Sequence, residues 1–236
     1  MCTVTFIPKS KNGFVLTSNR DEAPHRVTIP PDFYKIKDTK LLFPKDEVAG
    51  GTWVGISDKK RVICLLNGGF TSHERKDNYR MSRGIIVTDL LTAENTPEKI
   101  KNYDFNGIEP FTIILIDFVT DVNLFELVWD GNKAHFSEKP LAPQIWSSSL
   151  LYDSVTKKKR EQWFSTFLME DLMPSEDQLL KFHKTTGDGN METDLVMDRG
   201  FVATKSITQI SKNGTTLSMR YEDLKTQQTT QQILEL

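Results

Sequence analysis

Several features that define common protein classes are missing from this 236-residue sequence. It contains no run of about 18 apolar residues, so we expect no transmembrane helix. It has no basic N-terminal region followed by an apolar stretch, so we expect no signal peptide. Its 30 basic residues nearly balance 32 acidic ones, which argues against binding nucleic acid through a broad basic face. Its two cysteines, Cys2 and Cys64, do not make a disulfide framework.

Motifs for common cofactors are missing as well. The sequence contains no P-loop, dinucleotide-binding fingerprint, zinc-ligand spacing or Ser-His-Asp arrangement. Asp188, Asn190, Glu192 and Asp194 alternate as in calcium loops, but the glutamate that closes such a loop is missing at its spacing. We therefore expect neither a metal ion nor a cofactor, and we expect the partner to be a small-molecule substrate or ligand.

The first 22 residues carry the clearest structural signal, a β-hairpin. Two β-rich segments flank Asn12-Gly13, a dipeptide that favours a two-residue hairpin turn because both residues tolerate positive φ. Counted back from that turn, Val4 is predicted to face Asp21, and Cys2 is predicted to face Ala23. Because side chains alternate along a strand, Cys2 and Asp21 are expected to share a face and to be diagonal neighbours, roughly 7–8 Å apart at the backbone.

A cysteine at position two has a distinct chemistry. Removal of Met1 would free the α-amino group of Cys2, whose pKa would be about 7.7–8.0. That amine could take the proton from its own thiol, so Cys2 would be nucleophile and base at once. Asp21 could orient the ammonium, and Arg20 could bind an anionic substrate or hold local structure. The alternative is a small buried Cys2 with Met1 retained. A reactive thiol suits a reducing compartment, so a cytoplasmic location is expected.

Strands are predicted mostly as hairpins, with two helical stretches between them, which indicates α+β layers with antiparallel sheets. Residues 23–48 are expected to be loop-like, because prolines interrupt them, with a short extended piece at Asp32-Phe33-Tyr34 as an alternative there. The basic run Lys157-Lys158-Lys159-Arg160 is interpreted as the solvated start of a helix. His183 is interpreted as a helix-end residue rather than a catalyst.

Four motifs in order resemble the NRDE family, also called the transport-and-Golgi-organisation-two-like proteins. They are Cys2-Thr3, then Asn19-Arg20-Asp21-Glu22, then Gly50-Gly51-Thr52-Trp53-Val54-Gly55, and finally Asn67 with Ser82-Arg83-Gly84. That family is similar to N-terminal-nucleophile hydrolases of the choloylglycine hydrolase and penicillin acylase kind. The resemblance implies one domain over residues 1–236, a four-layer αββα sandwich of antiparallel sheets with the first strand at its centre.

The resemblance also implies roles for particular residues. Cys2, Asp21 and Asn67 would be catalytic, with Asn67 helping to form an oxyanion hole; a plain turn residue is the alternative for Asn67. The other residues of the Asn-Arg-Asp-Glu motif would bind substrate or stabilise the structure of the site. Two further residues, which replace a family Asn and a family Arg, would do the same. This second group comprises Asn19, Arg20, Glu22, Ser148 and Lys205. The arginine that precedes the corresponding Asn-x-Asp run in the hydrolases falls on Ser18 here.

Two functions follow from these observations. The first is an N-terminal cysteine amidohydrolase that acts on a small non-peptide amide or acyl compound. The second is a non-catalytic binding or carrier protein on the same scaffold, because the family has been linked to lipid and acyl-CoA metabolism, haem handling and membrane trafficking. Ser148 and Lys205, which depart from the family residues, favour the second. The sequence leaves the oligomeric state open.

Overall fold

The computed structural model describes residues 2–10 and 12–236, with Cys2 described by its backbone alone. These residues form an α+β structure with two antiparallel sheets, one of six strands and one of seven. They group into two compact units, residues 1–26 with 142–235 and residues 27–141 with 236, and each unit holds one sheet. The single domain expected over residues 1–236 therefore stays a prediction.

The first unit contains the six-stranded sheet and two helices. The sheet has the order β10-β1-β2-β11-β12-β13, so β2 and β11 are central and β1 is second from the edge, not central as expected. Its elements are β1 (Cys2–Lys9), β2 (Gly13–Glu22), β10 (Gln144–Ser147), α3 (Ser154–Glu170), α4 (Glu176–Thr185), β11 (Ala203–Asn213), β12 (Thr216–Asp223) and β13 (Thr229–Glu235).

The first hairpin forms, but its predicted register is wrong. Cys2 pairs with Arg20 rather than with Ala23. The reason is the turn: β1 ends at Lys9 and β2 begins at Gly13, so three residues rather than two separate the strands. In such loops the third residue adopts the left-handed conformation.

Asn12 does so, with φ of 57°. The resulting shift by three residues exchanges the two faces of the hairpin relative to the prediction. Val4 therefore lies opposite Ser18, and Asp21 belongs to the other face of the sheet.

The two faces of this hairpin have different compositions. One face carries Ile7 and Val15, which pack with apolar side chains of α3 and α4 around Phe164 and Phe182. The same face carries polar side chains nearer the end of β2, among them Asp21. The sheet therefore presents a mixed apolar and polar surface to its helices, and the polar part is where the candidate site lies.

The second unit is a seven-stranded meander with two helices inserted between β6 and β7. Its strands pair in chain order from β3 to β9. Its elements are β3 (Thr28–Ile36), β4 (Thr39–Asp46), β5 (Val54–Ser57), β6 (Arg61–Asn67), α1 (Arg83–Leu91), α2 (Thr96–Lys101), β7 (Phe111–Asp117), β8 (Asn123–Trp129) and β9 (Ala134–Lys139). None of the helices in the described part of the chain has the length and apolar character that a membrane span requires.

The expectation of a loop over residues 23–48 is wrong, because β3 and β4 fill most of that range. Pro30 and Pro31 are tolerated because β3 is an edge strand of its sheet, and its register with β4 shifts between Ile29 and Asp32. A proline on an edge strand or at a bulge costs no ladder hydrogen bond that the sheet needs.

Two of the family motifs meet inside the second unit. A Cβ atom added to Gly84 at the start of α1 would lie 2.9 Å from both the backbone N and O of Thr52, and one added to Gly51 would lie 2.7 Å from the carbonyl carbon of Gly84. The backbone of α1 therefore rests directly on the segment before β5, an approach that only glycine permits. Ser82 caps this helix by accepting a hydrogen bond from the Gly84 N–H.

Candidate active site

The carboxyl group of Asp21 is the centre of a buried polar network in the first unit. Asp21 is 0% exposed. Its Oδ2 accepts a hydrogen bond from the Tyr152 hydroxyl at 2.5 Å, and its Oδ1 accepts one from Thr204 Oγ1 at 2.6 Å. Burial raises the pKa of Asp21, although the charge of Arg160 and these two hydrogen bonds act in the opposite direction. The network fixes the carboxyl group in one orientation.

Arg160 supports this network from α3. Its guanidinium lies over the ring of Tyr152, with Cζ 3.7 Å from the ring centroid. It donates hydrogen bonds to Thr3 Oγ1 and to the backbone carbonyls of Thr193 and Asp194. A fully buried guanidinium needs such a complete set of acceptors, because an unsatisfied buried charge is costly.

The interpretation of Arg160 as part of a solvated basic run is therefore wrong. The spacing of α3 contained a signal: Thr156, Arg160 and Phe164 are four residues apart and make the buried stripe of the helix. The three lysines before Arg160 hid that signal. Tyr152 was not singled out from the sequence either, and its pKa is raised well above its usual value by burial and by Asp21, so its hydroxyl remains a donor.

Asn19 belongs to a second buried cluster on the same face as Asp21. Its Nδ2 donates to the backbone carbonyls of His183, at 3.1 Å, and Leu195, at 2.7 Å. Both amide hydrogens are thereby used, so Oδ1 must accept from His183 Nδ1 at 2.5 Å. His183 Nε2 is then the acceptor for the Thr5 hydroxyl at 2.7 Å. These contacts tie β2 to α4, which is a structural role for Asn19.

His183 is more than a helix-end residue. It is 0% exposed, and burial together with the charge of Arg160 lowers its pKa to about 3. The neutral ring is the form that can donate through Nδ1 and accept through Nε2 at the same time, as its two partners require.

Arg20 and Glu22 lie on the face of β2 opposite to Asp21. Arg20 is 2% exposed, and its Nη2 is 3.9 Å from Glu22 Oε2. Glu22 Oε1 also accepts the backbone N–H of Ala23 at 3.0 Å. Arg20 is paired in backbone register with Cys2 on one side and with Ser206 on the other.

The Met1 residue and the thiol of Cys2 lie outside the described residues, so the predicted nucleophile is located only by its backbone. Asp21 lies one residue beyond Arg20, the register partner of Cys2, on the side of the Cys2 nitrogen. The corrected register therefore brings Asp21 close to the backbone nitrogen of Cys2, and it places the Asp21 side chain on the opposite face from Arg20.

Ser148 and Lys205 lie in the same unit but in different surroundings. Ser148 directly follows β10, is 1% exposed, and accepts the Tyr152 N–H through its backbone oxygen at 3.1 Å. Lys205 occupies a register shift of β11, where a bulge redirects a side chain, and its Nζ donates to the Pro24 carbonyl at 2.6 Å. Burial lowers the pKa of Lys205.

A cleft of about 480 Å³ lies beside this bulge. Its lining includes Lys205 and Thr204 together with the apolar side chains of Met197 and Leu224. Thr204, whose hydroxyl holds Asp21, therefore also lines the cleft. Thr204 was assigned no role from the sequence, and only the tertiary structure shows its contact with Asp21.

Asn67 lies in the second unit, at the last position of β6, opposite Phe111 of β7. The next residue, Gly68, has φ of 91°, so the chain turns sharply there. The predicted oxyanion role of Asn67 stays a prediction.

Comparison with solved structures defines the class of the fold. The chain matches the C2A mutant of conjugated bile acid hydrolase from Clostridium perfringens with a TM-score of 0.59 and 9% identity, over 100% of this chain and 92% of that chain. It matches an N-acylethanolamine-hydrolyzing acid amidase ortholog from Caenorhabditis elegans with a TM-score of 0.60 and 12% identity, over 89% of this chain and 92% of that one. The predicted α+β fold, an αββα sandwich of the N-terminal-nucleophile hydrolase kind, is thereby confirmed.

The family follows from the sequence match. Residues 1–227 match the family Transport and Golgi organisation 2, and the chain belongs to that family. A Transport and Golgi organization protein 2 homolog from Bos taurus is 28% identical over 160 residues, which are 63% of this chain and 56% of that protein. The chain thus spans about half the length of the curated relatives it matches.

Proposed function

We propose that this protein is an N-terminal cysteine amidohydrolase that acts on a small non-peptide amide or acyl compound after Met1 has been removed. The observation that carries the proposal is the position of Asp21. Its carboxyl group is buried, fixed by Tyr152 and Thr204, and lies on the nitrogen side of Cys2 in the backbone register. The α-amine of Cys2 is a backbone group, so it does not point to one face of the sheet as a side chain does. Asp21 would therefore orient this amine rather than the thiol.

In this mechanism the amine of Cys2 takes the thiol proton, and the thiolate attacks the carbonyl carbon of the substrate. The negative charge that develops on the carbonyl oxygen needs hydrogen-bond donors, and Asn67 is the proposed one. The ammonium of Cys2 returns its proton to the leaving amine as the carbon–nitrogen bond breaks. Water then attacks the thioester, gives its proton to the amine, and releases the carboxylic acid with the thiol restored.

Two structural neighbours support this proposal, because one is a conjugated bile acid hydrolase and the other an N-acylethanolamine-hydrolyzing acid amidase ortholog. Their low identity means that this support concerns the fold, and the reaction of the present chain rests on the arrangement around Asp21. A reducing cytoplasm would keep the Cys2 thiol available.

A binding or carrier function is the second candidate, and one observation favours it. The cleft beside Lys205 has a volume of about 480 Å³, within the range of small-molecule sites, and combines apolar side chains with an ammonium. In that case Asp21 and its partners would only stabilise the end of the hairpin, and Cys2 would need no free amine.

The first experiment is the intact mass of the protein expressed with its tag at the C-terminus. We expect Met1 to be absent; retention of Met1 on essentially all molecules would exclude the self-activated nucleophile and leave the carrier function. A screen of small amides follows, in which Cys2→Ala should abolish hydrolysis. Cys64→Ala is the matched control, because Cys64 is buried in β6 and should not affect the rate. An undiminished rate in Cys2→Ala would refute the mechanism.

A further inference from the structure

Three buried hydroxyl groups of the first unit have no hydrogen-bond partner among the described residues. They are Ser18 Oγ, Ser206 Oγ and Thr208 Oγ1, and each of these residues is at most 1% exposed. Nearly all buried polar groups in folded proteins are hydrogen-bonded, so three exceptions that lie together need an explanation. A group that the chain itself does not supply is the simplest one.

The backbone register puts the three hydroxyl-bearing residues in one patch. Thr208 lies opposite Ser18, and Ser206 lies opposite Arg20. Residues that are opposite each other, or two apart on one strand, share a face, so all three are on the Arg20 face of the sheet. Arg20 is in turn the register partner of Cys2.

Hydroxyl groups on the other face of the same strands are paired. Thr17 Oγ1 accepts from Gln209 Nε2 at 3.1 Å, and Ser211 Oγ is 2.7 Å from Ser218 Oγ. Buried hydroxyl groups on these two strands can therefore find hydrogen-bond partners within the chain. The lack of partners is a property of the Arg20 face.

We propose that Ser18, Ser206 and Thr208 form a subsite that binds an uncharged hydrogen-bonding group of the substrate, such as a hydroxyl or an amide. This inference rests on the proposed function, because it takes Cys2 as the reacting residue. Strands are about 4.8 Å apart, and diagonal neighbours across a pair are about 7–8 Å apart, so the three residues lie roughly 7–12 Å from the Cys2 backbone. The substrate therefore carries its second polar group at about that distance from the scissile carbonyl.

The subsite is neutral for two reasons. Its three hydroxyl groups carry no charge, and no free positive charge adjoins them in the strand register of the described residues. The nearby guanidinium of Arg20 already has the Glu22 carboxylate at 3.9 Å. A hydroxyl group can both donate and accept, so three of them suit a partner that also does both, rather than a carboxylate that only accepts.

The test uses chloroacetamides whose nitrogen carries a hydroxybutyl, a pentyl or a carboxypropyl chain. The thiolate of Cys2 displaces chloride and forms a thioether, and intact mass with peptide mapping gives the rate at Cys2. We expect the hydroxybutyl probe to react about tenfold faster than the pentyl probe, as one net hydrogen bond would give, and faster than the carboxypropyl probe. In the triple variant Ser18→Ala, Ser206→Ala, Thr208→Val the ratio should fall to about one.

Ser211→Ala is the matched control, because it removes a paired hydroxyl from the same strand and should keep the tenfold ratio. Equal rates for the hydroxybutyl and pentyl probes with the unmodified protein would overturn the subsite alone and leave the proposed function standing. No reaction of Cys2 with any probe would overturn both.

Thermal unfolding gives a second, independent measurement. Removing unpaired hydroxyl groups should leave Tm unchanged or raise it, whereas Ser211→Ala should lower it, because Ser218 loses its partner. If the triple variant falls in Tm by more than Ser211→Ala does, the three hydroxyl groups are paired within the folded protein, and the subsite is refuted.

Discussion

At the scale of single residues, the protonation state of the Asp21 carboxyl group should affect the stability of the folded protein. Burial raises its pKa above the value in the unfolded chain, so the folded state holds its proton more tightly. Folding is therefore favoured by this group at low pH, and that contribution is lost as the pH rises through the folded pKa. We expect Asp21→Asn, which mimics the neutral carboxyl group, to raise Tm at neutral pH and to match the parent protein near the unfolded pKa of about 3.9.

The measurement is thermal unfolding of both proteins from acid to neutral pH. Asp77→Asn serves as the control, because Asp77 is an exposed aspartate. If Asp21→Asn lowers Tm most at neutral pH, the carboxylate is stabilised by its partners in the folded state, and the assigned direction of its pKa is wrong.

The hydroxyl of Tyr152 gives a second prediction at this scale. Tyr152→Phe keeps the ring against Arg160 and removes the hydrogen bond to Asp21 Oδ2. A buried hydrogen bond to a charged group contributes roughly 1.5–3 kcal/mol, so we expect the free energy of unfolding to fall by about that amount at neutral pH. Urea unfolding measures it.

Tyr103→Phe is the comparison for that experiment, since it also removes a tyrosine–aspartate hydrogen bond, to Asp89 at 2.7 Å, but in a half-buried place. Its loss should be smaller. Equal losses would show that the burial of the Asp21 network adds nothing to the strength of this contact.

The residues of the site differ in how far the sequence could predict them. Asp21 stands in a short polar run at the end of a strand, and its importance could be predicted. Tyr152 and Thr204 lie 131 and 183 positions away along the chain, and only the tertiary structure brings their hydroxyl groups to it. Arg160 carries a weak signal in its spacing from Phe164, which the adjoining lysines obscured.

At the scale of elements, the close contact between Gly51 and Gly84 explains two glycine-containing motifs that the sequence shows only as separate segments. Gly84→Ala would place Cβ 2.9 Å from the Thr52 backbone, which must then move. We expect a loss of about 1–3 kcal/mol in the free energy of unfolding, as for other overpacked sites. Equilibrium denaturation with urea gives the value.

Ser82→Ala tests whether the helix or the contact is responsible. It removes the N-cap of α1 without adding bulk, and caps typically contribute about 1 kcal/mol. If Gly84→Ala is as stable as the parent protein, the backbone of α1 can shift away from Thr52 at no cost, and the contact does not constrain the unit.

The same scale shows why local patterns predicted some elements and not others. β8 is a β-rich segment that stands between clear turns, and such a local pattern predicts a strand. The first hairpin was predicted to exist, but its register depended on whether the turn has two or three residues, which Asn12-Gly13 does not decide. Of β3 only a short extended piece was expected, because its prolines argue against a strand unless the strand lies at an edge. The edge position is set by the whole sheet.

At the scale of the whole molecule, the stability in acid should depend on one residue of the first unit. His183 is buried, and its pKa is about 3, well below the value of about 6.5 in an unfolded chain. Below pH 6.5 the unfolded state therefore binds a proton that the folded state does not. The contribution of His183 to stability is complete above pH 6.5 and is lost as the pH falls towards 3.

The loss attributable to His183 is about 2 kcal/mol at pH 5 and approaches about 5 kcal/mol near pH 3, which is comparable with the whole stability of many domains.

The variant His183→Gln cannot be protonated in this range, so its stability should fall less steeply between pH 7 and pH 4. At pH 7 it should be less stable than the parent protein, because it loses the contacts with Asn19 and Thr5. His25→Gln, an exposed control, should keep the parent slope. Chemical unfolding at several pH values measures these slopes. An unchanged slope in His183→Gln would mean that the acid sensitivity of the protein does not arise from the protonation of His183.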